Sequence, residues 1–269
     1  MGKQTAKQKS FSSFLRIFSL LLVLGILYTN RYTLFHWLLQ DEYIETSLYQ
    51  ASTEKEKIDA IFASFPNAIY GIDISQYQAS VQWKKVGTIQ DSTPISFVIL
   101  RATMGEDGRD ERYLRNWQNV PRKKLIRGAY HYYRPDENSS KQAENFIANV
   151  VLKKGDLPPI LDIEESPKNQ SIKKLRTGLK RWLKKIEAHY QMTPIVYSSD
   201  HFYNTYLAKK AFLKYPIWIA NYNFVQKPKT RKWVMWQFSE KGLASGIKKY
   251  TDLNVFSGGI EELKKLSKK

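Results

Sequence analysis

Two acidic side chains, Asp162 and Glu164, stand one residue apart at the end of the apolar run 157–163. Residues i and i+2 of a β-strand point to the same face, so the two carboxyl groups are expected to project together. Two neighbouring carboxylates cannot both ionise freely, and the pKa of one of them is driven upward. A protonated acid beside an ionised partner is what cleavage of a glycosidic bond requires. The alternative is a strand end whose acids face solvent or cap the next helix.

The composition excludes several other kinds of site. The 269 residues contain no cysteine, which rules out disulfides, thiolate metal sites and cysteine nucleophiles. The four histidines form no His-x-x-x-His pair, so neither a zinc nor an iron site is expected. No glycine-rich phosphate loop supports a nucleotide site. We therefore expect no metal and no cofactor.

The formal net charge of +18 at pH 7 favours anionic surroundings such as nucleic acid, phospholipid headgroups or an acidic cell-wall polymer. Much of this charge lies in lysine-rich runs that are typical of polar helix faces. None of the usual nucleic-acid-binding signatures occurs in the chain. We predict no nucleic-acid partner, and the charge indicates location rather than activity.

The N-terminal residues 1–30 combine a basic tip with an apolar segment. Lys3, Lys7 and Lys9 precede the almost entirely apolar stretch 17–28. This stretch is about a dozen residues long, nearer a signal peptide than a full span of about 20, yet no Ala-x-Ala-like cleavage site comes after it. We expect an uncleaved transmembrane anchor with its basic tip in the cytoplasm. The alternatives are a cleaved signal peptide and a soluble N-terminal core helix.

Either an anchor or a cleaved signal would export the remainder of the chain. Residues 31–68 carry an aromatic patch and then alternating charges, which indicates a juxtamembrane helix or stalk that links two parts. The rest of the chain is long enough for one barrel-type domain. We predict an exported, membrane-anchored and monomeric protein with this domain at 69–260 and a basic tail at 261–269.

From residue 69 onward, strand-like runs alternate with helical patterns. Parallel strands need a crossover of about a dozen residues, usually a helix, and the first four gaps satisfy this requirement. The later connections leave little room for outer helices, so the pattern predicts an α/β fold, a TIM-like (β/α)5(β)3 barrel. An open doubly wound sheet is the competing topology. The predicted strands are 69–75, 95–103, 126–133, 159–164, 194–199, 217–221, 233–238 and 250–256, and the predicted helices are 81–86, 111–123, 141–152 and 172–190, with one more within 202–213.

Acidic and aromatic side chains recur at the predicted strand ends, where α/β barrels gather their chemistry. Asp73 and Ser75 share one face of the first strand, and Asp252 lies in the last. This combination is typical of a sugar-binding cleft, because flat rings stack on pyranoses while acids attack the linkage. The segments concerned are Gly71-Ile-Asp-Ile-Ser, Arg101-Ala-Thr, Gly128-Ala-Tyr-His, Asp162-Ile-Glu, Trp218-Ile-Ala-Asn-Tyr, Trp236-Gln and Asp252-Leu-Asn.

In this order, the segments resemble the glycoside hydrolase family 25 lysozymes, the Chalaropsis-type muramidases, over residues 69–258. The resemblance implies hydrolysis of the β-1,4 bond between N-acetylmuramic acid and N-acetylglucosamine in peptidoglycan. It implies Glu164 as the general acid, Asp162 as the carboxylate beside it, and Asp73 and Asp252 as the other acids of the cleft. The implied substrate contacts are Tyr130, Tyr197, Trp218, Tyr222, Trp236, Gln237, Arg101 and Asn254.

Several alternatives stay open on the sequence. Asp162 could orient the substrate's acetamido group as an internal nucleophile, which we favour together with retention of configuration, or a carboxylate could attack directly. Arg101 could instead be an ion-pair partner of the cleft acids, and Tyr130 and Tyr197 could serve packing. Met104 stands where the family often has an acid or amide, which leaves one substrate contact open. The alternative functions are a non-catalytic glycan-binding module and a hydrolase of another N-acetylated glycan such as chitin.

Overall fold

The computed structural model describes residues 54–121, 124–223 and 233–269, which belong to one compact unit. The predicted anchor or signal segment at 1–30 lies outside these described residues, as does most of the predicted stalk at 31–68. Within the described ranges, no helix is both long enough and apolar enough to cross a membrane.

The described residues contain ten strands, of which eight close into a barrel. The strands are β1 (Ile69–Ile74), β2 (Thr88–Ile89), β3 (Thr93–Met104), β4 (Gly108–Arg109), β5 (Ile126–Tyr132), β6 (Ile160–Asp162), β7 (Ile195–Ser199), β8 (Ile217–Ala220), β9 (Met235–Gly242) and β10 (Thr251–Phe256). The short strands β2 and β4 pair with β3 outside the ring. Around the ring the order is β1, β10, β9, β8, β7, β6, β5 and β3, and the pairing of β3 with β1 closes it. This closure confirms the predicted barrel over the open sheet.

Strand direction brings the strand ends to one rim. Seven ring strands, in the order β1, β3, β5, β6, β7, β8 and β9, pair in parallel with their neighbours. Their carboxyl ends therefore lie at the same edge of the barrel. Strand β10 is antiparallel to both of its neighbours, so its amino end reaches the same rim. We call this edge of the barrel the catalytic rim. The antiparallel register sets Asp252 opposite Asp73.

Helices and turns connect the strands on the outside of the ring. The described helices are α1 (Glu54–Ser64), α2 (Tyr113–Asn119), α3 (Ser139–Asn149), α4 (Ile172–Tyr190), α5 (Asp200–Phe202) and α6 (Ile260–Leu266). The prediction of a further helix within 202–213 holds only in part, because α5 passes into a π-helical turn at Tyr203–Leu207 and a separate 3₁₀ turn at Lys210–Phe212.

The predicted helix at 81–86 is wrong. The connection from β1 to β3 has one 3₁₀ turn, Gln76–Gln78, and then turns through 81–86. A six-residue segment is too short to overcome the cost of helix nucleation without tertiary support. Trp83 receives other support, because its indole Nε1 donates to Asn116 Oδ1 at 3.3 Å and holds the turn against α2.

Helix α1 falls in the range that the sequence assigned to the stalk, and it packs on the outside of the barrel. Ile58 and Ile61 are buried on its inner face. Its first residue, Glu54, accepts a hydrogen bond from Ser239 Oγ at 2.7 Å. Ser239 lies toward the carboxyl end of β9, so the amino end of α1 contacts the barrel near the catalytic rim.

Two apolar cores flank the sheet. The outer core lies between the sheet and the helices. Helix α4 contributes to this core a stripe of buried side chains at helical spacing. The inner core fills the barrel, and Gly71 is needed there because a Cβ atom would lie 2.4 Å from the ring of Phe97. Leu263 of α6 belongs to the inner core. The predicted basic tail at 261–269 therefore begins in a helix that closes the barrel opposite the catalytic rim.

Candidate active site

The four acids predicted from separate parts of the sequence meet in one cavity at the catalytic rim. Asp73 is on β1, Asp162 ends β6, Glu164 lies two residues further, and Asp252 is on β10. The cavity has a volume of about 210 Å³. Besides these acids, its lining residues are Tyr130, Tyr197, Trp218, Tyr222, Gln237 and Glu240.

Asp73 is buried and held by two side-chain amides. Its Oδ1 accepts hydrogen bonds from Gln237 Nε2 at 2.8 Å and from Asn254 Nδ2 at 2.7 Å. The two amides come from β9 and β10, which lie side by side next to β1. Three strands therefore fix the position of this one carboxyl group.

Aromatic donors orient both amides. Tyr197 Oη and Tyr222 Oη each donate to Gln237 Oε1 at 2.7 Å. Trp218 Nε1 donates to Asn254 Oδ1 at 2.8 Å. Because an indole N–H can only donate, Oδ1 must face the indole and Nδ2 must face the acid. Lining residues that the sequence assigned to substrate contact thus also build the support of the site.

Asp73 and Asp252 form a proton-sharing pair. Burial, followed by the charge of Asp73 and the hydrogen bond to it, raises the pKa of Asp252 to about 9. Burial also raises the pKa of Asp73, against the lowering effect of the amide and carboxyl hydrogen bonds that it accepts. At neutral pH the pair therefore holds one proton, with Asp252 as donor and Asp73 as acceptor.

Asp162 and Glu164 form a second pair with an unequal environment. Asp162 is buried, whereas the side chain of Glu164 is open to solvent in the cavity. Burial raises the pKa of Asp162 well above its usual value, and the charge of Glu164 and the hydrogen bond between them add to the rise. Loss of surrounding water also raises the pKa of Glu164, but the hydrogen bond from Asp162 opposes this rise. Within the pair the proton rests on Asp162.

One oxygen of the second pair is available to a ligand. Asp162 Oδ1 is buried and accepts no hydrogen bond from any described side chain or backbone group. A buried acceptor without a partner costs about 1–3 kcal/mol, so a ligand that donates a hydrogen bond there gains this energy. Beside it, Glu164 offers a carboxyl group of raised pKa to a reacting oxygen. Such a site can perform acid-catalysed cleavage of an acetal.

Comparison with known proteins agrees with this chemistry. The family model for glycosyl hydrolases family 25 matches residues 72–247. The chain belongs to glycosyl hydrolase family 25. It is similar to the uncharacterized protein YegX of Escherichia coli K12, with 40% identity over 198 residues that cover 72% of each chain. It is also similar to Lysozyme M1 of Streptomyces globisporus, with 30% identity over 212 residues that cover 73% of this chain and 70% of the lysozyme.

The solved structures give the same result for the fold. A family 25 glycosyl hydrolase from Bacillus anthracis has a TM-score of 0.66 and 31% identity, and the match covers 74% of this chain and 94% of that one. The chain is therefore a glycoside hydrolase of the N-acetylmuramidase type with the family 25 barrel. Asp252 and Asn254 lie beyond the residues that the family model matches, and the pairing of β10 with β1 is what brings them into the cavity.

In this family 25 hydrolase, Trp236 lies apart from the other predicted substrate contacts. Neighbouring side chains of a strand point to opposite faces, and Gln237 points into the barrel. Trp236 therefore points outward, where its indole Nε1 donates to the backbone oxygen of Asn221 at 2.8 Å and its ring packs on Phe238. It lies outside the lining of the cavity, so the structure does not place it with the other predicted substrate contacts there.

Arg101 and Asn254 also lie behind the cavity wall. Arg101 Nε pairs with Asp110 Oδ2 at 3.1 Å, and the guanidinium group lies 4.8 Å from the centre of the Tyr77 ring. The structure thus favours an ion-pair role for Arg101 over direct contact with a ligand. Its partner is Asp110, however, and not one of the cleft acids. Asn254 acts through Asp73, to which its side-chain amide donates.

The sequence patterns did not reveal Glu240, a fifth acid in the cavity lining. The predicted strand ended at Phe238, but β9 continues to Gly242. Its register with β10 shifts between Gln237 and Ser239 and again between Ser239 and Gly242. The first shift inserts an extra residue before Glu240 and reverses which side chains face inward beyond it. Strict alternation could not have found this acid. No cluster of His, Cys, Asp and Glu suited to a metal ion occurs in the part of the chain that the structure describes.

Proposed function

We propose that this protein hydrolyses the β-1,4 bond between N-acetylmuramic acid and N-acetylglucosamine in peptidoglycan, with retention of configuration. The observation that carries the proposal is the convergence of four carboxyl groups and four aromatic rings on one cavity of about 210 Å³. Four of the five acids in its lining form two pairs, and burial raises the pKa of every member. The rings supply flat walls for a pyranose.

The first step is movement of a proton within the Asp162–Glu164 pair. The N–H of the substrate's acetamido group donates to Asp162 Oδ1, which has no other donor among the described residues. A hydrogen bond to a carboxylate favours its ionised form. The shared proton therefore passes to Glu164, which becomes the general acid when substrate is bound.

The chemical step breaks the bond between the anomeric carbon and the leaving oxygen. Glu164 gives its proton to that oxygen, while the acetamido carbonyl oxygen attacks the anomeric carbon to form an oxazolinium ring. The carboxylate of Asp162 stabilises the positive charge of this ring. Glu164, now ionised, takes a proton from a water molecule that attacks the anomeric carbon and opens the ring. Two inversions at this carbon give net retention.

The Asp73–Asp252 pair positions the sugar. Asp73 keeps its place through the two amides, so its second oxygen can accept hydrogen bonds from sugar hydroxyl groups. Its negative charge also lies near the developing positive charge at the anomeric carbon. Tyr130, Tyr197, Trp218 and Tyr222 bound the space that the ring enters.

The test uses the full-length chain with purified peptidoglycan and, separately, with chitin oligomers. Release of new reducing ends from peptidoglycan that Glu164→Gln abolishes supports the proposal. Binding of peptidoglycan without release by the wild type identifies a non-catalytic glycan-binding module. Equal or faster release from chitin identifies a hydrolase of another N-acetylated glycan.

We further propose that the protein is exported and stays attached to the membrane through residues 1–30, and that it acts as a monomer. The basic tip, the apolar stretch and the poor cleavage site support attachment. Detection of the Lys3–Lys9 peptide in mature protein from the membrane fraction tests the anchor, and its absence there indicates cleavage.

A further inference from the structure

A second depression, with a volume of about 580 Å³, lies at the amino end of β10, the end that reaches the catalytic rim. We call it the rim groove. It contains three large side chains that are mostly exposed to solvent, namely Tyr77 at 65%, Tyr250 at 61% and Leu243 at 51%. Its lining residues are Tyr77, Gln78, Leu243, Lys248, Lys249 and Tyr250.

Two residues of the rim groove, Gln78 and Tyr250, lie close in the chain to two acids of the cavity, Asp73 and Asp252. Tyr250 precedes Asp252 by two residues, which is at most about 7 Å of extended chain. The backbone oxygen of Tyr250 accepts a hydrogen bond from Gln78 Nε2 at 3.1 Å. Gln78 Oε1 in turn accepts from the backbone N–H of Ser75, two residues after Asp73. A substrate that fills the cavity can therefore extend into the groove.

The two neighbouring spaces have opposite charge. Five acids and no basic residue line the cavity, whereas two lysines and no acid line the rim groove. Lys248 and Lys249 are exposed, and neither forms an ion pair or a side-chain hydrogen bond with any residue in the described ranges. Exposed aromatic and aliphatic side chains gathered in one depression are typical of a binding surface.

We propose that the rim groove binds the stem peptide that branches from N-acetylmuramic acid. This inference rests on the proposed function, because that substrate carries a peptide on the sugar that the cavity holds. The carboxylates of the peptide pair with Lys248 and Lys249. Tyr77, Leu243 and Tyr250 pack on its aliphatic parts. The groove thereby makes the enzyme selective for glycan strands that still carry peptides.

The test compares two substrates made from one preparation of peptidoglycan strands, freed of phosphate polymers. One keeps its stem peptides, and an amidase has removed them from the other. Two full-length variants, Lys248→Ala/Lys249→Ala and Tyr250→Ala, are compared with the wild type. The control is Lys173→Ala/Lys184→Ala, which removes the same charge from exposed positions of α4 on another side of the barrel.

We expect both groove variants to lower kcat/KM on the peptide-bearing strands by about five-fold relative to the stripped strands, mainly through KM. The control variant keeps the wild-type ratio between the two substrates. An equal loss on both substrates shows that the groove binds sugar instead, and an unchanged ratio shows that it binds nothing on the strand. Either result overturns the inference while leaving the muramidase proposal intact. Failure of the wild type to cleave either substrate would overturn the muramidase proposal itself.

Discussion

Four of the five acids in the cavity form two hydrogen-bonded pairs, and the two pairs differ in what holds them. Amides and aromatic donors fix Asp73, whereas one oxygen of Asp162 has no donor among the described residues. The first pair is therefore rigid and suited to positioning. The second can respond to a ligand, and this difference supports the proposed proton transfer by Asp162 and Glu164.

The first prediction concerns the pH dependence of the reaction. The pKa values of Asp162 and Glu164 are both raised, and the pair must keep its proton to act as an acid. We expect kcat/KM to fall as pH rises through this raised range, because the proton is then lost. Glu164→Gln lowers kcat by about 10²–10⁴ and removes this limb of the profile. The measurement is the rate of reducing-end release against pH.

The control for this prediction is Glu165→Gln. Glu165 is the next acid along the chain, it is exposed, and it lies outside the cavity lining. Its charge raises the pKa of Glu164, so this variant should keep its kcat and move the alkaline limb to slightly lower pH. An alkaline limb that survives unchanged in Glu164→Gln would show that another group supplies the proton.

The second prediction concerns stability. Folding raises the pKa of Asp252 from its usual value near 4 to about 9. The stabilisation linked to this proton is fully present below the unfolded pKa and is lost as pH rises through the folded pKa. Asp252→Asn removes this dependence and should raise Tm by about 2–4 °C at pH 8 while impairing activity. Thermal unfolding at pH 5 and pH 8 checks this, and the variant should gain less at pH 5. A variant that melts below the wild type at pH 8 would contradict the expectation.

Sequence patterns predicted the residues whose positions depend on local geometry. The spacing of Asp162 and Glu164 predicted that they project together, and both line the cavity although β6 ends at Asp162. Asn254 and Gln237 were identified through resemblance alone, and their role as supports of Asp73 depends on a pairing between distant strands. Glu240 was missed because a bulge, which is set by the pairing of β9 with β10, overrides alternation.

Among the secondary-structure elements, the strands were easier to predict than the connections. All eight ring strands were predicted within a few residues, because each combines an apolar run with turn residues at its ends. The prediction of a helix at 81–86 was wrong because its apolar residues are buried without one. Val81, Trp83 and Val86 pack against the barrel from a turn, where burial does not depend on helical spacing. The patterns also gave no sign that α1 packs on the barrel, since only two of its side chains are buried.

The third prediction concerns α1. Ile61 is buried against the barrel, and its truncation in Ile61→Ala leaves a cavity that costs about 2–5 kcal/mol of unfolding free energy. Asp59→Ala is the control on the same helix, because it breaks only the exposed pair with Lys55 and should cost at most about 1 kcal/mol. Denaturant unfolding measures both. Equal stability of the two variants would show that α1 does not support the barrel.

At the scale of the whole molecule, charge of opposite sign occupies different places. The chain carries a formal charge of +18, yet five acids line its cavity. The excess of basic residues favours adsorption to anionic surfaces, while the cavity itself is acidic. Binding to the wall and cleavage of the glycan are therefore expected to depend differently on salt.

The fourth prediction concerns this difference in salt dependence. Raising the ionic strength from about 0.01 M to about 1 M shortens the screening length from about 30 Å to about 3 Å. We expect adsorption to intact anionic walls to weaken at least about ten-fold over this range. Cleavage of a short, soluble, peptide-free glycan should change far less. Sedimentation with purified walls and reducing-end assays measure the two effects, and an equal response of both would contradict the separation.

The proposed cleavage is tested most sharply by identifying the sugar at the newly formed reducing ends. Peptidoglycan is digested with the full-length chain, reduced with borohydride and analysed by mass spectrometry. We expect N-acetylmuramitol at the new ends with the wild type, formed about 10²–10⁴ times more slowly by Glu164→Gln, although this variant still binds the glycan. Ends that carry N-acetylglucosaminitol, or N-acetylmuramitol produced at the same rate by Glu164→Gln, would contradict the proposed function.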